Sequence, residues 1–253
     1  MLLVPLATGA VLGRPGEGRV VLVFLLAAAA LGLFCVRTPV EAWLGISPCR
    51  AQNPRERRVI LYSIYIYTSV SLGALAILLW QIRSSGLFLV GAAAASAFLG
   101  QAILKNRARH ARMVAQLVGS IGLAATAAAA YYVASGRLDT TALVIWAANW
   151  VFAANQILYV QTRIHSARAS TLDERLTQGK WLILGEIVMA LALALAWRKG
   201  WLPSLALLAF APALWRGLSW FFSSASRLQI RRLGVGELIH AVIFAALLIV
   251  GFR

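Results

Sequence analysis

Glu237 and His240 stand three residues apart in an otherwise apolar run, GVGELIHAVIFAALLIVGF, and so fall on one helical face. A carboxylate beside an imidazole can relay a proton or hold a polar ligand. An ionisable group at the centre of a bilayer helix costs roughly 2.5 to 3.5 kcal/mol on insertion scales, so such groups usually mark a site or a pathway. The competing reading is electrostatic. Placed in the first turn, Glu237 would favour the helix N-terminus and pair with a neighbouring Arg.

Glu186 lies about 7 to 8 Å into the run that begins at Trp181, deep enough to be paired, protonated or part of a proton relay. A third set comes from TTALVIWAANWVFAANQILYVQTRI. There Asn149, Phe152, Gln156, Tyr159 and Arg163 follow 3, 4, 3 and 4 spacing and form one stripe, with Asn155 beside it. Amides do not belong against lipid tails. The stripe therefore makes interhelical hydrogen bonds or walls a cavity. In CVRTPVEAWLG, Arg37 and Glu41 could hold an anionic headgroup, or Arg37 is a topology charge and Trp43 an interfacial anchor, with Pro39 favouring a turn or a new helix start. His110 and His165 sit among loop positives and read as bystanders.

No phosphate-cradling glycine loop, HExxH, paired CxxC or nucleophile motif is present. With eight Asp and Glu in all, a protein-held Mg²⁺ cage is not expected, nor is any other metal or cofactor. Cys35 and Cys49 lack the Cys/His company that a metal site needs, and a reducing compartment argues against a disulfide.

The elements that must position these residues follow from composition. Hydrophobic residues make up 61% of the 253, charged residues 13%, and the mean hydropathy is +0.79, which describes an all-α polytopic membrane bundle. Nine apolar segments are expected, at residues 2–12, 19–36, 59–82, 86–104, 113–135, 140–161, 181–197, 202–222 and 235–252. The first is too short to cross about 30 Å of hydrocarbon. The chain reads as a single integral membrane domain whose first segment, 1–13, is truncated.

The net charge of +16 is placed by topology. Even-numbered connections hold 16 Lys and Arg, against 7 for the odd ones with the C-terminus. This puts the N-terminus inside and the C-terminus outside. It points to anionic lipid headgroups at the cytoplasmic loops and not to nucleic acid. The longest connections, 37–58 and 162–180, are both cytoplasmic. Ala-rich tracts such as GLAATAAAAYYV supply small residues for close helix packing.

MLLVPLATGAVLG, RTPVEAW, AAYYVASG, NWVFAANQILYVQTRI and RRLGVGELIHAVIFAALL resemble the YwiC-like family of bacterial membrane proteins. The resemblance implies a multi-pass protein of the bacterial inner membrane and brings no activity with it. Family members usually carry a Glu-His-Gly-Ala-Trp-type stretch just before the MLLVP equivalent, which implies that Met1 is an internal start. Nine helices with enlarged loops after the second and sixth are also similar to the UbiA prenyltransferase arrangement. Those enzymes hold Mg²⁺ and a prenyl diphosphate on two Asp-rich motifs, whereas these loops offer Arg37, Glu41 and Glu56, then Asp173 and Glu174.

Three readings follow. The first is a divergent UbiA-like bundle that binds or modifies a lipid-soluble isoprenoid at a cytoplasm-facing pocket, using Arg37, Glu41, Arg163, Glu237 and His240. The second is a small proton-coupled transporter using Glu186, Glu237 and His240. The third is a non-catalytic membrane assembly factor whose polar stripe holds helices together.

Overall fold

A computed structural model describes residues 2–43, 53–82, 85–107, 112–167, 171–222 and 229–253. Cys49 and His110 lie outside the described residues. Those described form a helical bundle: α1 (Leu3–Gly13), α2 (Glu17–Trp43), α3 (Pro54–Ile82), α4 (Gly86–Arg107), α5 (Arg112–Ser135), α6 (Thr140–His165), α7 (Leu172–Gln178), α8 (Lys180–Arg198), α9 (Ser204–Leu207), α10 (Ala211–Phe222) and α11 (Ile230–Gly251). A 3₁₀ turn, Leu208–Phe210, joins α9 to α10. Among the described residues, eight stretches are long and apolar enough to cross a membrane, and α1 is a shorter apolar helix, matching the expected segments. The chain is a multi-pass membrane protein. Its exterior carries large exposed apolar side chains, Trp80, Trp215 and Phe222 among them, as a surface in contact with hydrocarbon should.

Helices extend past the hydropathy windows because charged residues leave the apolar run without ending the backbone hydrogen bonds. α3 begins at Pro54, where a missing N–H costs nothing at the first helical position. α2 runs through Pro39 to Trp43, so Pro39 is not the expected turn or helix start; the Arg37–Glu41 ion pair, one turn apart, spans it. α11 begins at Ile230, ahead of Arg231 and Arg232. Glu237 is therefore two turns in, not in the first turn, and the helix-terminus account of it fails. The second long connection folds into α7, opened by a capping box between Thr171 and Glu174. Glu174, one of the two acids that a UbiA-like motif would need there, helps to cap that helix.

α5 is the central support of the first half. Ala124, Ala125, Ala127, Ala128 and Ala130 are at most 1% exposed, and their small side chains let α1, α2, α4 and α6 come close. α1 spans about 16 Å at 1.5 Å per residue. It is lodged against α5, α6 and α11, with Gly9 against the Ala127 carbonyl. The second half packs α6, α8, α9, α10 and α11 around Phe152, Phe210 and Phe244, with Phe152 and Phe244 stacked at 4.0 Å between ring centroids.

A side chain at Gly9 would meet backbone, which cannot rotate away. Gly9→Val should cost roughly 1 to 3 kcal/mol by overpacking. The check is a thermal unfolding midpoint in detergent, with Gly18→Val, at a position with open space around it, as the unaffected control.

Candidate functional site

Four helices each turn one stripe inward, and each stripe carries a polar group near the basic end of the bundle. On α6 the buried positions are Ala142, Ile145, Ala148, Asn149, Phe152, Asn155, Gln156, Tyr159 and Thr162, the expected helical spacing. On α8 they are Leu182, Glu186, Met189 and Leu193. On α10 they are Ala213, Arg216, Gly217, Trp220 and Phe221, and on α11 Glu237, Ala241, Phe244, Leu248 and Gly251.

Arg216 joins these stripes. Its Nη1 donates to Glu237 Oε2 at 2.5 Å, its Nη2 donates to Asn155 Oδ1 at 3.0 Å, and its guanidinium lies 4.2 Å from the Tyr159 ring centroid. Asn155 Nδ2 donates to Glu186 Oε1 at 2.9 Å. An arginine can only donate and a carboxylate can only accept, so an amide is the natural bridge between them. Gln156 Nε2 donates to the Glu237 carbonyl at 3.0 Å and fixes the α11 backbone against α6. At the same Glu186 oxygen, Gly217 leaves room for the carboxylate; a Cβ there would collide with Oε1.

This network borders a cleft of about 380 Å³ among α6, α10 and α11, lined by Tyr159, Arg163, Arg216, Gln229, Arg232, Leu233, Gly236, Glu237 and His240. Arg216 is balanced by Glu237, whereas Arg163 and Arg232 have no ion-pair partner among the described residues. The Nε atoms of Arg163 and Arg216 are buried without a hydrogen-bond partner. The cleft is cationic. His240 does not bond to Glu237; its Nδ1 lies 2.7 Å from the Gly236 carbonyl, which can only accept. Nδ1 therefore carries the proton and Nε2 the lone pair in the neutral ring.

Of the expected site residues, Tyr159, Arg163, Glu237 and His240 line the cleft, and Gln156 and Glu186 stand behind it in the network. Asn149 is elsewhere, buried at 2% exposure and donating to Thr8 Oγ1 of α1 at 3.1 Å. Glu41 pairs with Arg37 and with Lys105 of α4, and neither Arg37 nor Glu41 lines the cleft. Arg216 was legible only as a lone charge inside an apolar segment; its 213/216/217/220/221 spacing is the signal that turns it inward. Among the described residues, no group of three or more His, Cys, Asp and Glu stands together as a metal site would.

A family model described as YwiC-like protein matches residues 1–131. The chain belongs to the YwiC-like family. The YwiC-like match covers α1 to α4 and most of α5, so the cleft and its network lie beyond the matched residues. No curated protein and no solved structure matches the chain, and nothing in these comparisons supports the likeness to UbiA enzymes.

Gly217→Ala should drive the Glu186 carboxylate off Asn155 and lower stability in detergent by roughly 1 to 3 kcal/mol. Adding Glu186→Ala to it should recover part of that loss. A Gly217→Ala protein as stable as the parent would show that Glu186 does not sit against α10.

Proposed function

We propose that this YwiC-like protein binds a membrane lipid with a phosphate-bearing headgroup in the cleft among α6, α10 and α11. The narrower form of the reading is an isoprenoid phosphate or diphosphate, bound at the cytoplasmic face of the bacterial inner membrane. The observation that carries it is the gathering of Arg163, Arg216 and Arg232 on one cleft, where among the described residues only Arg216 has a carboxylate partner. Guanidinium groups suit phosphate, which they can grip through two parallel hydrogen bonds.

Two features favour a lipid over a bare anion. Leu233 shares the cleft with the arginines, and Ile230 is exposed one turn from it on the same helix, so an apolar chain attached to the anion has surface to lie on. The cleft also opens at the basic end of the bundle, where the loops attract anionic lipid. The reading assigns binding and no bond-making step.

Native mass spectrometry of the detergent-purified protein should show a phosphate-bearing lipid adduct, with fragmentation distinguishing an isoprenoid from a glycerophospholipid. A folded Arg163→Ala/Arg232→Ala variant should retain at least about tenfold less, since a hydrogen bond to a charged group contributes roughly 1.5 to 3 kcal/mol. Equal lipid on parent and variant would contradict the reading, as would a parent that neither carries nor takes up anionic lipid.

A further inference from the structure

Arg216 already holds an anion in the cleft. Glu237 occupies Nη1, and both residues line the cavity, so an anion reaching Arg216 meets a carboxylate first. Arg216 is poorly placed to swing away, because Nη2 is committed to Asn155 and the guanidinium lies over Tyr159. Gln156 holds the Glu237 carbonyl, so the α11 backbone stays in place and the carboxylate is the part free to turn.

An ionised Glu237 beside a phosphate would put two like charges in a site screened from water, where they repel far more strongly than in solution. Resting on the lipid reading above, we propose that headgroup binding is coupled to the uptake of one proton by Glu237. The phosphate replaces the Glu237 carboxylate on Arg216, and the carboxylate takes a proton from water through the cleft. No covalent bond to the lipid forms or breaks, and the new carboxylic O–H can donate to the phosphate. His240 lies one turn from Glu237 and lines the same cleft, with Nε2 as the proton-accepting side of its ring.

The charged and titratable groups around Glu237 support a single exchange. Arg216 faces it from α10, Tyr159 and Arg163 from α6, and Arg232 and His240 from α11 itself. Glu186 of α8 is linked to the same arginine only through Asn155. The other packed elements, α1 and the Ser204–Phe210 stretch, contain no titratable side chain. Deprotonated Glu237 competes with the ligand, so binding is favoured at low pH. Affinity should fall by about tenfold per pH unit over the range in which the unliganded carboxylate is ionised.

The test is isothermal titration of the detergent-solubilised full chain with short-chain phosphatidylglycerol, whose phosphodiester keeps a constant charge near neutral pH. Running it in two buffers with different heats of ionisation counts the protons. The expected result is close to one proton taken up per lipid bound, with Glu237→Gln taking up none and, in a repeat one pH unit higher, losing none of the roughly tenfold affinity that the parent loses. The count on the parent stands alone if the variant does not fold. Saturable binding with no proton uptake would overturn the coupling and leave the lipid reading intact. No saturable binding would remove both.

Discussion

A guanidinium cannot shed its proton in a protein, so Arg216, 8% exposed among apolar helices, must find its acceptors inside the fold. That constraint organises the second half of the bundle. It needs a carboxylate on α11, an amide oxygen on α6 and an aromatic face one turn along α6, and it receives all three. The amide in turn hands its N–H to Glu186 of α8, so one cation draws four helices into register. A buried ion pair is weak evidence for stability, because desolvation offsets much of the attraction. Its value here lies in specificity: apolar stripes alone could slide or rotate against one another, whereas these partners can meet in few arrangements.

The first half of the chain solves a different problem by a different means. Between apolar helices in lipid there is no hydrophobic drive to associate, and α5 answers with alanines that let its neighbours approach to backbone contact. α1 lies at the junction of the two halves, held to α5 by Gly9 and to α6 by the Thr8–Asn149 hydrogen bond. The cationic cleft then forms at the end of α6, α10 and α11 where their loops carry the positive charge. The rigidity of the network behind it keeps Arg216 aimed at the cavity.

Hydropathy and period made the spans and the α6 stripe legible, because both are properties of one helix at a time. Glu186 and Glu237 were legible as anomalies for the same reason. What could not be read was pairing: Arg216 and Asn155 are 61 positions apart, and Arg216 and Glu237 are 21. Nothing in single-helix spacing says which stripe meets which. Asn149 shares the stripe of Gln156 and Tyr159, yet α1 covers it while the cleft opens lower down the same face. Helix ends misled as well. Apolar windows stop at Arg231 and Arg232, but the helix does not, and five extra residues at its start carried Glu237 from a terminus into a buried ion pair.

The central claim is that Arg216 and Glu237 form one buried unit, and a double-mutant cycle measures it most directly. Arg216→Met and Glu237→Leu, singly and together, would be compared by equilibrium unfolding in mixed micelles. Each single change should cost about 3 to 5 kcal/mol by stranding a buried charge, and the double variant should recover much of that loss. The expected coupling is at least about 2 kcal/mol. Losses that simply add, with coupling under about 0.5 kcal/mol, would mean that the two side chains do not depend on each other. The network proposed to organise the site would then be wrong.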